Sequence, residues 1–154
     1  MNFNVTLTVN SKCTITGSIG DMAFGAQDTS ATNLQSSTTL QVLCTKKTPY
    51  SIALTPNSTN STTGAGNMSS TSGTSNVSGA ANPDTVAYQL RQLTGASAAV
   101  WGNVSGTGSN VVSVPAASST GTAAVSTTIY GTISSIGNVV PDTYKDVVTV
   151  TVSY

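Results

Sequence analysis

Asp142 and Asp146, with Lys145 beside the second, come closest in type and spacing to a chemical site in this chain of 154 residues. Paired carboxylates can divide general acid and base work between them, or hold a hard cation. Here one follows Pro141 in a turn and the other opens a run of alternating apolar residues. Asp commonly accepts hydrogen bonds from its own turn in such places, so a structural role is expected for both, and Lys145–Asp146 is read as an exposed pair. The acidic residues are all Asp, and His is absent. A Ser-His-Asp triad and a zinc-bound water therefore lack their residues, and no glycine-rich phosphate loop follows any apolar run. No enzyme activity, catalytic residue, metal ligand or cofactor is expected.

Cys13 and Cys44 lie in strand-like surroundings, and neither belongs to a C-x-x-C pair. A disulfide is the better reading, and a loop of this size would gain roughly 3 to 4 kcal/mol from closure. That bond implies an oxidising compartment. The alternative, two buried thiols in a cytosolic core, suits a richer hydrophobic composition than this one.

Only 6% of the residues are charged and the net charge is zero, against about 25% charged in an ordinary soluble domain. Such a surface has no electrostatic hold on nucleic acid or anionic lipid, so neither is expected as a partner. It also lacks the like-charge repulsion that keeps proteins apart, and so suits a subunit that packs against copies of itself. Lys46-Lys47 reads as a solvated turn. Trp101, the single tryptophan, is expected in the core rather than stacked on a sugar. No signal peptide and no long apolar span are seen. The N-x-S/T sequences are those that chance supplies in a chain so rich in Asn, Ser and Thr, and no glycosylation is read from them.

The elements that would carry these residues are strands. Phe3, Val5, Leu7 and Val9 alternate with Asn4, Thr6 and Thr8, the pattern of a strand with one apolar face. Cys13 to Ile19 gives a second alternating piece with Cys13, Ile15 and Ile19 as its inward candidates, and Met22 to Gly25 a short strand or strand end anchored by Phe24. Ala26 to Ser37 reads as a loop. Thr38–Cys44 and Tyr50–Leu54 read as a hairpin turning at Thr45–Pro49. Thr55 to Pro83 is so poor in apolar residues that it reads as an exposed excursion, with at most an edge hairpin around Met68. Val86, Tyr88 and Leu90 resume the alternation, and Val111–Val114 predicts an edge strand ended by Pro115. Val125 to Ile133 and Val148 to Tyr154 complete the set, the last running to the final residue. No window has a helical period, so the expected fold is an all-β sandwich of about seven strands.

Taken in order, Cys13-Thr-Ile, Phe24-Gly25, Leu43-Cys44-Thr45, Tyr50-Ser-Ile, Tyr88-Gln-Leu, Trp101-Gly102, Tyr130-Gly131-Thr132-Ile133 and Pro141-Asp-Thr-Tyr144-Lys-Asp146, closed by V-T-V-T-V-S-Y, resemble the spore coat protein U domain family, which includes subunits of archaic chaperone–usher pili. The resemblance spans nearly the whole chain. It departs in the long Ser/Thr/Asn/Gly stretches, and in Pro-Asp where Pro-Gly is common. It implies an incomplete immunoglobulin-like sandwich whose missing strand leaves a groove beside the C-terminal strand. A periplasmic chaperone fills that groove first, and the N-terminal strand of a neighbouring subunit replaces it at the outer-membrane usher. The Cys13–Cys44 bridge is expected on the same ground. Tyr144 resembles the corner tyrosine of immunoglobulin-like sandwiches, whose hydroxyl bonds to backbone.

The residues support this reading in one respect of their own. Val148, Val150, Val152 and Tyr154 put one apolar face on a strand with a free edge, a hazard unless something pairs with it. Phe3, Val5, Leu7 and Val9 have the period and length to do so, and burying those side chains is worth roughly 6 to 12 kcal/mol before entropy losses. The expected division is a donor-strand extension at 1–10 and a pilin domain at 11–154. The expected function is that of a structural pilin, joined head-to-tail into an extracellular fibre for adhesion and biofilm formation after export through the periplasm. A tip adhesin or carbohydrate-binding module, and a secreted coat protein whose first strand folds back into its own groove, are the rival readings.

Overall fold

A computed structural model describes residues 1–154. Two antiparallel sheets face each other across one core. Their strands are β1 (Cys13–Ile15), β2 (Thr32–Cys44), β3 (Tyr50–Pro56), β4 (Ala65–Ser70), β5 (Thr85–Arg91), β6 (Val112–Val114), β7 (Val125–Ser135), β8 (Tyr144–Lys145) and β9 (Val148–Ser153). The larger sheet runs β1-β2-β7-β5-β4-β8 and the smaller β6-β3-β9. One 3-10 turn, Ala116–Ser118, follows β6. This is a nearly all-β sandwich, as the alternation predicts, and it is immunoglobulin-like, as the resemblance implies.

Inward side chains of both sheets make the core. Leu40, Val42, Ile129 and Ile133 come from β2 and β7, Val86 and Leu90 from β5, and Ile52 and Leu54 from β3. Trp101 is fully buried among them, as expected. Its indole Nε1 donates to the Ile52 carbonyl at 2.9 Å, so its one polar atom is satisfied. Cys13 and Cys44 are bridged, with their Cα atoms 4.0 Å apart, and they face each other directly in the β1–β2 register.

Several local expectations are corrected. β2 and β3 do not form a hairpin: the turn between them carries the chain from one sheet to the other, because a short polar turn fixes a reversal but not which sheet receives the next strand. The polar run before Thr38 is strand from Thr32 onward, held by ten-residue pairing with β7 from Thr32↔Ser135 to Val42↔Val125. Met68 sits on β4, which is no edge hairpin but lies between β5 and β8. Met22–Gly25 forms no regular strand. Its Met22 and Phe24 still pack on the core, while the Thr38 and Ser36 hydroxyls donate to the carbonyls of Gly20 and Ala23 at 2.6 Å each. β1 is only Cys13–Ile15, and Ile15 is exposed rather than inward. The Val112–Val114 edge strand is as predicted, pairing with β3 alone.

Candidate functional site

The sandwich is open along one side. β9 pairs with β3 on one flank, from Ser51↔Ser153 to Pro56↔Val148, and with no strand on the other. Across the opening, the edge of the larger sheet is β1 continued by residues 19–24. Between them lies an apolar groove of about 610 Å³. Ile19, Met22 and Phe24 form one wall and Val148 and Val150 the other, while Leu54, Met68, Leu90 and Ile129 make the floor. Val148, Val150 and Val152 alternate with exposed Thr149 and Thr151, and are only half-buried although they face the core. An inward β-branched side chain is normally covered on both flanks, so the missing cover marks the missing strand.

The N-terminal residues stand clear of this groove. Phe3, Val5 and Leu7 are each 87% exposed and Val9 is 79% exposed. Residues 1–12 contain no regular strand. The chain joins the sandwich at Lys12, whose carbonyl accepts from the Thr45 N–H at 2.9 Å. An apolar stripe and an apolar groove thus coexist in one chain without meeting. Tyr154, the last residue of the other apolar stripe, is 60% exposed and lies just beyond β9.

At one end the groove is closed by the crossing of the chain from β8 in the larger sheet to β9 in the smaller. Asp146 is at this crossing. Its Oδ2 accepts from the Tyr88 hydroxyl at 2.7 Å and from the Ser58 hydroxyl at 2.5 Å. Its Oδ1 accepts from the N–H groups of Ser58 at 3.2 Å and Val147 at 2.8 Å. Burial, then the bond to Asp146 and its charge, push the Tyr88 hydroxyl well above the usual tyrosine range, so it stays a donor. Tyr88 reaches this position because Gly66, opposite it on β4, has no side chain: a Cβ there would lie 2.3 Å from the Tyr88 ring.

A second polar cluster sits just before the crossing. The Tyr144 hydroxyl donates to the Val140 carbonyl at 2.6 Å, the backbone bond of a corner tyrosine, and accepts from the Asn82 amide at 3.1 Å. Asp142 accepts from Asn82 at 2.8 Å and from the Thr143 N–H at 2.7 Å. The Ser70 hydroxyl, followed by Asn82, holds its carboxyl below the ordinary carboxylate value. Asp142 and Asp146 thus serve two separate hydrogen-bond clusters that shape turns, as their positions predict, but Lys145–Asp146 is not the exposed pair expected, because Asp146 is half-buried and turned to Tyr88 and Ser58.

Sequence reasoning named the β9 wall of the groove but not the opposite one. Phe24 carried a signal, as an anchor, while Met22 and the floor residue Met68 lay in stretches too polar to point to a shared surface. Tyr88 and Ser58 could not be found as partners of Asp146, because they are remote in sequence.

The fold is similar to that of a chain in the crystal structure of the CsuC–CsuE chaperone–tip adhesion subunit pre-assembly complex from archaic chaperone–usher Csu pili of Acinetobacter baumannii, with a TM-score of 0.55 and 20% identity. The similarity covers 96% of this chain and 40% of that one, so this chain spans well under half the length of its structural neighbour. No match was found among curated protein sequences. The profile of the Spore Coat Protein U domain matches residues 1–151. With nearly the whole chain matched, and with the bridged cysteines and open sandwich that the sequence resemblance implies, the chain belongs to the Spore Coat Protein U domain family.

Proposed function

We propose that this protein is a structural pilin subunit that joins head-to-tail to copies of itself by strand donation. Residues 1–10 act as the donor extension and 11–154 as the acceptor domain. Phe3, Val5, Leu7 and Val9 of one copy enter the groove of the next beside Val148, Val150, Val152 and Tyr154. The observation that carries this reading is the coexistence of the groove with a fully exposed apolar stripe of matching period. Phe3 to Val9 and Val148 to Tyr154 each cover about 20 Å as extended chain, so stripe and wall match in length. Donor and acceptor belong to different copies, and a contact of this kind propagates as an open filament.

The fully exposed position of residues 1–12 favours donation between copies over a strand folded back into its own groove. In a cell the open groove would need cover before assembly. The structural neighbour, described as a chaperone–subunit pre-assembly complex, supports a periplasmic chaperone as that cover and an outer-membrane usher as the place of exchange. The assembled fibre would lie on the bacterial surface, serving adhesion and biofilm formation.

Electron microscopy of the purified chain tests the reading. Filaments are expected from the parent, and folded, non-filamentous subunits from Leu7→Asp. Filaments of normal length from Leu7→Asp would overturn it.

A further inference from the structure

We propose that Asp146 and Tyr88 are a positioning pair that fixes the spacing of the two sheets at the closed end of the groove, and thereby the size of the side chains it accepts from an incoming strand. The inference rests on the strand-acceptor reading above and adds a selectivity element to it.

β9 is the movable wall. It has one strand neighbour, whereas β5, which carries Tyr88, lies between β7 and β4. The chain from β8 leads into the first residue of β9, but a wall with a strand on one flank alone can still shift away from the larger sheet to admit a larger side chain unless side chains tie the two sheets together. The hydrogen bond of 2.7 Å from Tyr88 to Asp146 makes that tie, running from the larger sheet to the residue that leads into β9. Ser58, in the loop after β3, holds the same carboxylate through both its hydroxyl and its N–H. The carboxylate therefore joins three segments: β5, the β3–β4 loop and the start of β9. Both Tyr88 and Asp146 line the groove, next to Val148 and Met68, so the spacing they fix is that of the cavity itself. Tyr88 has no freedom to relax, with its ring seated on Gly66 and the residue only 8% exposed.

The test uses the full chain carrying Leu7→Asp, whose own donor is disabled while its groove is intact. Binding is measured for a fluorescent peptide with the sequence of residues 1–12, and for three further peptides in which Val5, Leu7 or Val9 is replaced by Trp. In the parent background at least one Trp peptide is expected to bind roughly tenfold more weakly than the native peptide, the scale on which packed pockets discriminate size. In Tyr88→Phe and in Asp146→Asn that ratio is expected to fall to about twofold. Equal weakening of all peptides, with the ratio retained, would show a merely structural role and overturn the proposal. So would a parent that does not discriminate. If the parent binds no peptide at all, the strand-acceptor reading falls as well, which separates the two failures.

Discussion

The indole of Trp101 and the carbonyl of Ile52 are joined at 2.9 Å inside the core, tying the segment after β5 to the central strand of the smaller sheet. The same segment is locked through its backbone. The Trp101 N–H donates to the Leu90 carbonyl and the Gly102 carbonyl accepts from the Leu54 N–H, both at 2.9 Å. Trp101→Phe keeps an aromatic ring but leaves a cavity and removes the partner of the Ile52 carbonyl. A loss of about 2 to 4 kcal/mol is expected, read as a lower urea midpoint with an unchanged slope.

The bridge between Cys13 and Cys44 closes a loop with a sequence separation of 31 and fastens the edge strand β1 to β2. Reduction releases the loop in the unfolded chain and frees that edge in the folded one. A loss of about 3 to 4 kcal/mol is expected, which for a domain of this size lowers the melting temperature by roughly 6 to 16 °C. Melting curves with and without reductant measure it. Thiol titration of the denatured, unreduced chain should find no free thiol.

How far these elements could be read from sequence depended on where their stability comes from. β5, β7 and β9 announce themselves because Val86, Tyr88 and Leu90, Ile129 and Ile133, and Val148, Val150 and Val152 carry the apolar alternation within the strand. β4, with the sequence A-G-N-M-S-S, and the first half of β2, with T-N-L-Q-S-S, carry almost none. They are strands because neighbouring strands supply their hydrogen bonds, β5 and β8 for β4 and β7 alone for the first half of β2, which is tertiary information. The candidate site was legible to the same extent. Its donor stripe and β9 wall follow a period of two, whereas the Ile19–Phe24 wall and the Tyr88–Asp146 tie depend on which sheet each segment joins.

Acid should weaken the fold through Asp142. The Ser70 hydroxyl and the Asn82 amide hold its carboxyl below the ordinary value of 3.8, and the Ser30 hydroxyl and N–H do the same for Asp28. A carboxyl whose value is depressed by folding stabilises the native state fully above its unfolded value. That contribution is lost as pH falls through the folded value. The melting temperature should therefore be insensitive to these groups near neutrality and drop below about pH 4. Asp142→Asn should show a shallower drop over that range, and an equally steep one would count against the assignment.

Gly131 and Gly102 differ in how far they tolerate a side chain, for a reason visible in their surroundings. A Cβ on Gly131 would lie 2.2 Å from the Met22 sulfur, the flexible end of a side chain in the groove wall. A Cβ on Gly102 would lie 1.9 Å from the Thr62 carbonyl oxygen, which is backbone. Gly131→Ala is therefore expected to cost about 1 to 2 kcal/mol, by pushing Met22 outward, and Gly102→Ala about 3 kcal/mol or more. Urea unfolding of the two variants gives the order, and the reverse order would contradict it.

Head-to-tail donation makes a stricter prediction about mixtures than about single variants. Leu7→Asp spoils the donor and leaves the groove. Val150→Asp places a charge in the groove wall and leaves the donor, since Val150 lines the cavity and an unpaired charge buried there costs several kcal/mol. Neither variant alone can form a joint. Mixed together, the intact donor of the second can enter the intact groove of the first, and the product has no usable donor or groove left. Sedimentation should thus find monomers in each sample alone and one-to-one dimers, with no larger species, in the mixture. A self-complemented coat protein would stay monomeric throughout. A symmetric interface, in which the same patch is used by both copies, would fail to form dimers selectively from the mixture.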